Sequence, residues 1–163
     1  MKMALMVVDM QNAYSLGKAA ESMGEASEYI EAALPLFRSK GLPVVWVQHL
    51  DEKDGAVPGE LGFEIIGRLE PLAGEHRVRK TYNNSFNKTQ CAAILAGEGV
   101  DTVLITGYCA EYCVLSTYRG ALDLDLTPML LRGGIASGEL ENLRTVERIS
   151  DLISFGALKK VLE

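Results

Sequence analysis

Residues 99–113 read Gly99-Val100-Asp101-Thr102-Val103-Leu104-Ile105-Thr106-Gly107-Tyr108-Cys109-Ala110-Glu111-Tyr112-Cys113. Thr102 to Thr106 is an apolar, β-branched run closed by Gly107, and it predicts a strong strand. Two cysteines follow it, where the next helix, expected over Tyr112 to Leu122, begins. Upstream, Met3–Val8 is apolar without alternation, which suits a strand covered on both faces. Ser22 to Lys40 has helical spacing, with Ile30, Leu34 and Phe37 on one side, and Gly41 and Pro43 stop it. Val44–Val47 is a second β-branched run, and Arg77-Val78-Arg79 reads as a short strand after the long loop from Leu50 to Glu75. A helix is expected over Thr89 to Ala96, before Gly97 and Gly99. Downstream, Leu126–Leu131 reads as a strand ended by Gly133-Gly134, and Leu140 to Ile153 as one long helix. Strands alternating with helices in this way indicate a single α/β domain over residues 1–163, its sheet mostly parallel with helices on both faces.

Composition narrows the function. Hydrophobic residues make up 48% of the 163, charged residues 23%, and the net charge is -6. A domain of this size buries roughly 70% of its unfolded surface, so it needs no disulfide or metal to hold a core. The acidic balance and scattered basic residues exclude nucleic acid as the main partner, since Arg77-Val78-Arg79-Lys80 is too short for a phosphate-binding patch. No stretch approaches the ~20 apolar residues of a membrane span, and Met3–Val8 is shorter than the roughly 7–15 of a signal peptide core. A cytoplasmic protein is the expectation. Three cysteines without framework spacing argue against a disulfide scaffold.

In open α/β sheets ligands bind beyond the carboxyl ends of the strands. Asp9 directly follows the first strand, Lys80 follows Arg77-Val78-Arg79, and Cys109 and Cys113 follow Thr102–Thr106. Chemically the three types suit one another. A thiolate is a strong nucleophile, and a helix N-terminus or a nearby ammonium favours it. Cys113, expected within the first turn of its helix, is the candidate nucleophile. Asp9 is placed to accept the thiol proton and return it to a leaving amine. Lys80 is placed to keep Asp9 ionised and to stabilise developing negative charge. Other readings stand beside these: an Asp after a strand also caps helices, a Lys after Arg77-Val78-Arg79 also suits a solvated surface, and cysteines are often inert core residues.

Three blocks, in order, resemble the isochorismatase-like cysteine hydrolases, the family of nicotinamidase and N-carbamoylsarcosine amidase. They are Asp9-Met10-Gln11-Asn12, Lys80 with Ser85-Phe86 and Thr89, and Gly99 to Gly107 leading into Ala110-Glu111-Tyr112-Cys113-Val114. The resemblance spans nearly the whole chain. It implies a three-layer α/β/α sandwich with a six-stranded, mostly parallel, Rossmann-like sheet. It implies Asp9, Lys80 and Cys113 as a catalytic triad, a cis peptide at Tyr108–Cys109, and an oxyanion hole from the backbone N–H groups of Cys109 and Cys113. Cys109 is then a backbone contributor, and Cys91 a core residue. The implied reaction is attack of Cys113 on a carbonyl carbon, loss of ammonia or an amine, and hydrolysis of the resulting thioester. A homo-oligomer, a dimer or larger, and a small-molecule substrate are also implied.

The chain departs from the family at several points. Only His49 and His76 are present, and His49-Leu50-Asp51 lacks the order of the nicotinamidase metal ligands, so no metal or other cofactor is expected. Gly120 follows Thr117-Tyr118-Arg119 where many members are acidic. Gly133-Gly134 precedes Ile135-Ala136-Ser137 where many have Asp-Ala, and Ala13-Tyr14 replaces the common Asp-Phe. Pocket candidates are Tyr14, His49, Tyr82 and Tyr112, with the loop 51–62 as a pocket cover and subunit contact. The expected function is cleavage of a C–N bond in a small amide, ureide or carbamoyl compound. Vinyl ether hydrolysis of the isochorismatase type is the alternative enzyme reading. A redox or ligand-binding protein using Cys109 and Cys113 is the alternative of another class.

Overall fold

The computed structural model describes residues 1–163. Six strands, β1 (Met3–Val8), β2 (Val44–His49), β3 (His76–Lys80), β4 (Thr102–Tyr108), β5 (Thr127–Ala136) and β6 (Leu152–Ile153), form one sheet in the order β3-β2-β1-β4-β5-β6. Every pairing is parallel. Helices α1 (Ala20–Ser39), α2 (Cys91–Gly97), α3 (Leu115–Asp123), α4 (Leu140–Arg148) and α5 (Phe155–Leu162) cover it. The central strands are buried along their length, as a sheet covered on both faces requires.

Alternate side chains of each strand serve two cores. Leu5, Val7, Trp46 and Leu104 pack with Ile30, Leu34 and Phe37 of α1 and Leu158 of α5. Met6, Val8, Val45 and Ile105 pack with Leu95 of α2, Tyr118 and Ala121 of α3, and Val146 of α4. No helix is long and apolar enough to cross a membrane.

Two expectations are corrected in the C-terminal third. Gly133-Gly134 does not end its strand: β5 continues to Ala136 through a bulge, pairing Ile105 with Leu130 but Gly107 with Ile135. Gly133 makes this possible by adopting φ +83° against the ring of Tyr29, where a Cβ has no room. The helix read over 140–153 ends at Arg148, and Leu152–Ile153 becomes the edge strand β6. The Tyr118 hydroxyl fixes the intervening turn, accepting from Asp151 N at 3.0 Å and donating to its Oδ2 at 3.2 Å. The Ser154 side chain then caps α5 through Ala157 N.

The long segment between β2 and β3 is held by side chains rather than by regular structure. Glu75 accepts from Arg38 Nε (2.7 Å) and Trp46 Nε1 (2.7 Å), and Gln48 Nε2 donates to the Phe63 carbonyl (2.9 Å). These bonds deliver the chain to β3 in register, so that Lys80 lies opposite His49.

Candidate functional site

The register of the sheet brings four chain segments to one edge. Val8 pairs with Gly107 and with Val47, so Asp9, the end of β2 and the turn after β4 are neighbours. Gly107 has φ +111° and its Cα lies against the Val8 backbone, where a Cβ would collide with the carbonyl. Asp9 itself takes φ +51°, a conformation few non-glycine residues adopt. The peptide Tyr108–Cys109 is cis. Ala110–Val114 forms a π turn before α3 begins at Leu115, so Cys113 lies in that turn and not in the first turn of a regular helix.

At the centre is the Lys80 side chain, fully buried. Its Nζ is 2.8 Å from Asp9 Oδ2, 2.6 Å from His49 Nδ1 and 3.2 Å from Cys113 Sγ. An ammonium has three protons and no acceptor, so these contacts use all of its donors. His49 Nδ1 therefore accepts, and its ring carries the proton on Nε2. The position of His49 is set by Gln11, which is wholly buried. Gln11 Nε2 donates to the His49 carbonyl at 3.0 Å, and Gln11 Oε1 accepts from its N–H at 2.7 Å. Sequence reading had not singled out Gln11 as structural for the site.

Burial governs the ionisation of the cluster. It pushes the Cys113 thiol up to about 12, with the Asp9 carboxylate adding to the effect and Lys80 opposing it. The resting group is thus a thiol, held so by burial beside a carboxylate, and the ammonium that favours a thiolate does not outweigh them. Burial also raises Asp9, against the pull of Lys80, and Asp9 Oδ1 has no hydrogen-bond partner. His49 is lowered, first by burial and then by the Lys80 charge, so it is neutral at pH 7. The Cys113 thiol has Asn83 Oδ1 within reach at 3.7 Å.

Asp9, His49 and Cys113 each offer a ligand atom, all within 4.8 Å of one another. The same three side chains surround Lys80 Nζ, so the cation at their centre is the ammonium. The Cys109 amide donates no hydrogen bond within the chain. The Cys109 thiol faces Glu111 and is pushed up to about 12, chiefly by burial. Cys91 is buried in α2, its thiol likewise raised to about 12 by burial.

A cavity of about 260 Å³ opens onto the cluster, with Asp9, His49, Cys109 and Cys113 at its lining. Of the tyrosines named from sequence, Tyr14 and Tyr112 line it and Tyr82 does not. The Tyr82 ring is exposed and lies under Lys88, whose Nζ is 5.1 Å from the ring centroid. The remaining lining comes from Tyr108, Asn83, Asp51 and Asp54, none of them named singly as a pocket residue. Asp51 and Asp54 belong to the loop 51–62, and Asn83 to the block after Lys80. The signal was present in the segments but not in single positions.

The Isochorismatase domain model matches residues 3–148. A streptothricin hydrolase of Streptomyces noursei is 38% identical over 126 residues, covering 74% of this chain. The chain spans only 45% of that relative's length. An isochorismatase-like hydrolase of Alkaliphilus metalliredigens superposes with a TM-score of 0.89 at 26% identity, covering all of both chains. N-carbamoylsarcosine amidase of Thermoplasma acidophilum superposes with a TM-score of 0.84 at 27% identity, covering 95% of this chain and 97% of its own.

Proposed function

We propose that this chain, which belongs to the isochorismatase family and is a hydrolase, cleaves the C–N bond of a small amide, ureide or carbamoyl compound through a thioester on Cys113. The observation that carries this reading is the convergence on Lys80 Nζ of Asp9 Oδ2 at 2.8 Å and Cys113 Sγ at 3.2 Å, at the floor of a cavity. Of the similar proteins, N-carbamoylsarcosine amidase carries the bond class in its name and streptothricin hydrolase carries hydrolysis, and both support the reading.

The chemistry follows from the protonation states. Asp9 removes the thiol proton as Sγ attacks the carbonyl carbon, since a thiol near 12 has little thiolate of its own. Lys80 holds Asp9 in place and supplies positive charge as the proton moves. The oxyanion is stabilised by the free Cys109 amide and by that of Cys113. Asp9 then protonates the departing nitrogen, the C–N bond breaks, and the acyl group remains on sulfur. Water, deprotonated by Asp9, attacks the thioester carbonyl and releases the carboxylate or carbamate and the thiol. The site needs no metal in this scheme. Self-association is part of the proposal and is measured by light scattering.

The alternative use of Cys109 and Cys113 as a redox pair is less well supported, because burial pushes both thiols up to about 12 and so disfavours the thiolates that disulfide exchange needs. Vinyl ether hydrolysis would leave the thiol beside Lys80 without a task. The test is ammonia or amine release from a panel of small amides, ureides and carbamoyl compounds by the protein and by Cys113→Ala. Release that is lost in the variant supports the thioester route. Release that persists removes Cys113 from the mechanism.

A further inference from the structure

The wall of the cavity differs from its floor in charge. On the floor, Asp9 is matched by Lys80, and His49 is neutral. On the wall, Asp51 and Asp54 have no Lys or Arg among the lining residues to balance them. Three tyrosines also line it: Tyr14 and Tyr108 stack with centroids 5.4 Å apart and planes 23° from parallel, and Tyr112 is exposed at the rim.

The acidic pair is built into the fold. Asp51 and Ala56 exchange both backbone hydrogen bonds, at 3.1 and 2.8 Å, closing the loop that carries Asp54. Asp51 Oδ1 accepts from Lys53 N at 2.9 Å. Gly62 packs on the Gly55 carbonyl so closely that a Cβ would not fit. Gly62 O and Glu64 O in turn accept from Ala13 N and Asn12 N, next to Tyr14. The loop is therefore fastened to the segment that follows Asp9. Asp9, 1% exposed, lines the same cavity, and its Oδ1, itself buried, has no hydrogen-bond partner.

We infer that the cavity takes substrates bearing a positive charge, an ammonium or guanidinium group a few bonds from the scissile carbonyl, held between the tyrosine rings and the carboxylates of Asp51 and Asp54. Rings of this kind attract cations over their faces within about 6 Å, and paired carboxylates supply the charge an ammonium or guanidinium needs as it leaves water. An anionic substrate would meet the same carboxylates with no cation on the wall to offset them. The net charge of -6 draws cations toward the molecule as a whole. This inference rests on the hydrolase reading for its chemistry, but the selectivity is measurable without turnover.

The experiment has two arms. In the first, Cys113 is labelled with two methanethiosulfonates of similar size, one carrying a trimethylammonium-ethyl group and one a sulfonatoethyl group. Rates are read on the Cys113 peptide by mass spectrometry and normalised to a small free thiol. The cationic reagent is expected to react on the order of tenfold faster, with the preference shrinking in high salt and nearly lost in Asp51→Asn/Asp54→Asn. Equal rates, a preference for the anionic reagent, or a preference that survives in the double variant overturns the inference. In the second arm, ammonia release is compared for 3-aminopropanamide, butanamide and succinamate, which share a scaffold and differ in charge. A kcat/KM highest for 3-aminopropanamide and reduced in the double variant supports charge selection, and a preference for succinamate overturns it. No release from any of the three counts against the hydrolase reading, and the labelling ratio then decides the charge selectivity by itself.

Discussion

Lys80 Nζ lies 2.6 Å from His49 Nδ1, across the register pair that joins the ends of β3 and β2. A lysine donating to an imidazole nitrogen fixes three things at once: the tautomer of the ring, its charge, and the direction of the ammonium. His49 is thereby tied to the ionisation of the whole cluster.

His49 should therefore be neutral, with its proton on Nε2, at pH 7. Its value lies below the ordinary 6.5 because of burial and Lys80. As pH falls through 6.5 the unfolded chain takes up a proton at this residue and the folded chain does not, so stability falls with pH below that point. Nitrogen-15 NMR of the ring checks the tautomer. Urea titrations from pH 7 to 5 check the sign, and the His49→Gln variant should lose that component of the dependence.

Cys113 should alkylate slowly at pH 7–9, since its thiol is pushed up to about 12. Asp9→Asn removes a negative charge that holds the proton on. Alkylation by iodoacetamide should then rise, about tenfold for each unit by which the value drops. Turnover should move the other way, falling by roughly 10²–10⁴ with the loss of the general base. Faster alkylation with slower turnover separates a proton acceptor from a residue that only shapes the site.

Lys80 and Asp9 form an ion pair whose side chains are 0% and 2% exposed. Lys80→Met leaves a buried carboxylate unpaired, which should cost about 3–5 kcal/mol. For a domain of this length that corresponds to a drop in Tm of roughly 10 °C. Asp9 is already raised by burial and would be raised further without the ammonium, so the variant should lose less stability at low pH. Combining it with Asp9→Asn should cost less than the sum of the two single changes, as read by urea denaturation.

Gly107→Ala should destabilise by about 3 kcal/mol or more, because the new Cβ meets the Val8 backbone and φ +111° is hostile to any side chain. Gly99→Ala shares a positive φ, +66°, but has open space around it. It should cost only about 1 kcal/mol. Thermal melts of the two variants distinguish close approach from backbone conformation.

Gln11→Ala should leave the His49 N–H and C=O without their side-chain partner inside the protein. Each unsatisfied group costs about 1–3 kcal/mol. The His49 ring signals should broaden or shift while the sheet signals stay in place, since the clamp acts on one strand end.

The strand–helix alternation, the buried central strands and the placing of Asp9, Lys80 and Cys113 at strand ends were all legible in the chain. The reason is local: apolar runs, turn glycines and residue order follow from short-range preferences and from the side-chain period of strands and helices. Three things were decided only by the tertiary structure. The break of the last helix depends on Tyr118 reaching Asp151 from another helix, and a two-residue strand such as β6 is too short to show a pattern. The protonation of Cys113 depends on how deeply the turn is buried and on which carboxylate faces it, and residue order alone carries neither. The cavity wall depends on a loop seated by Gln48, Asn12 and Gly62, contacts between residues far apart in the chain. Those contacts put Asp51 and Asp54 beside Tyr14 and Tyr108 and leave Tyr82 outside. Residue order sets which groups reach the sheet edge; long-range packing sets their charge and what they face.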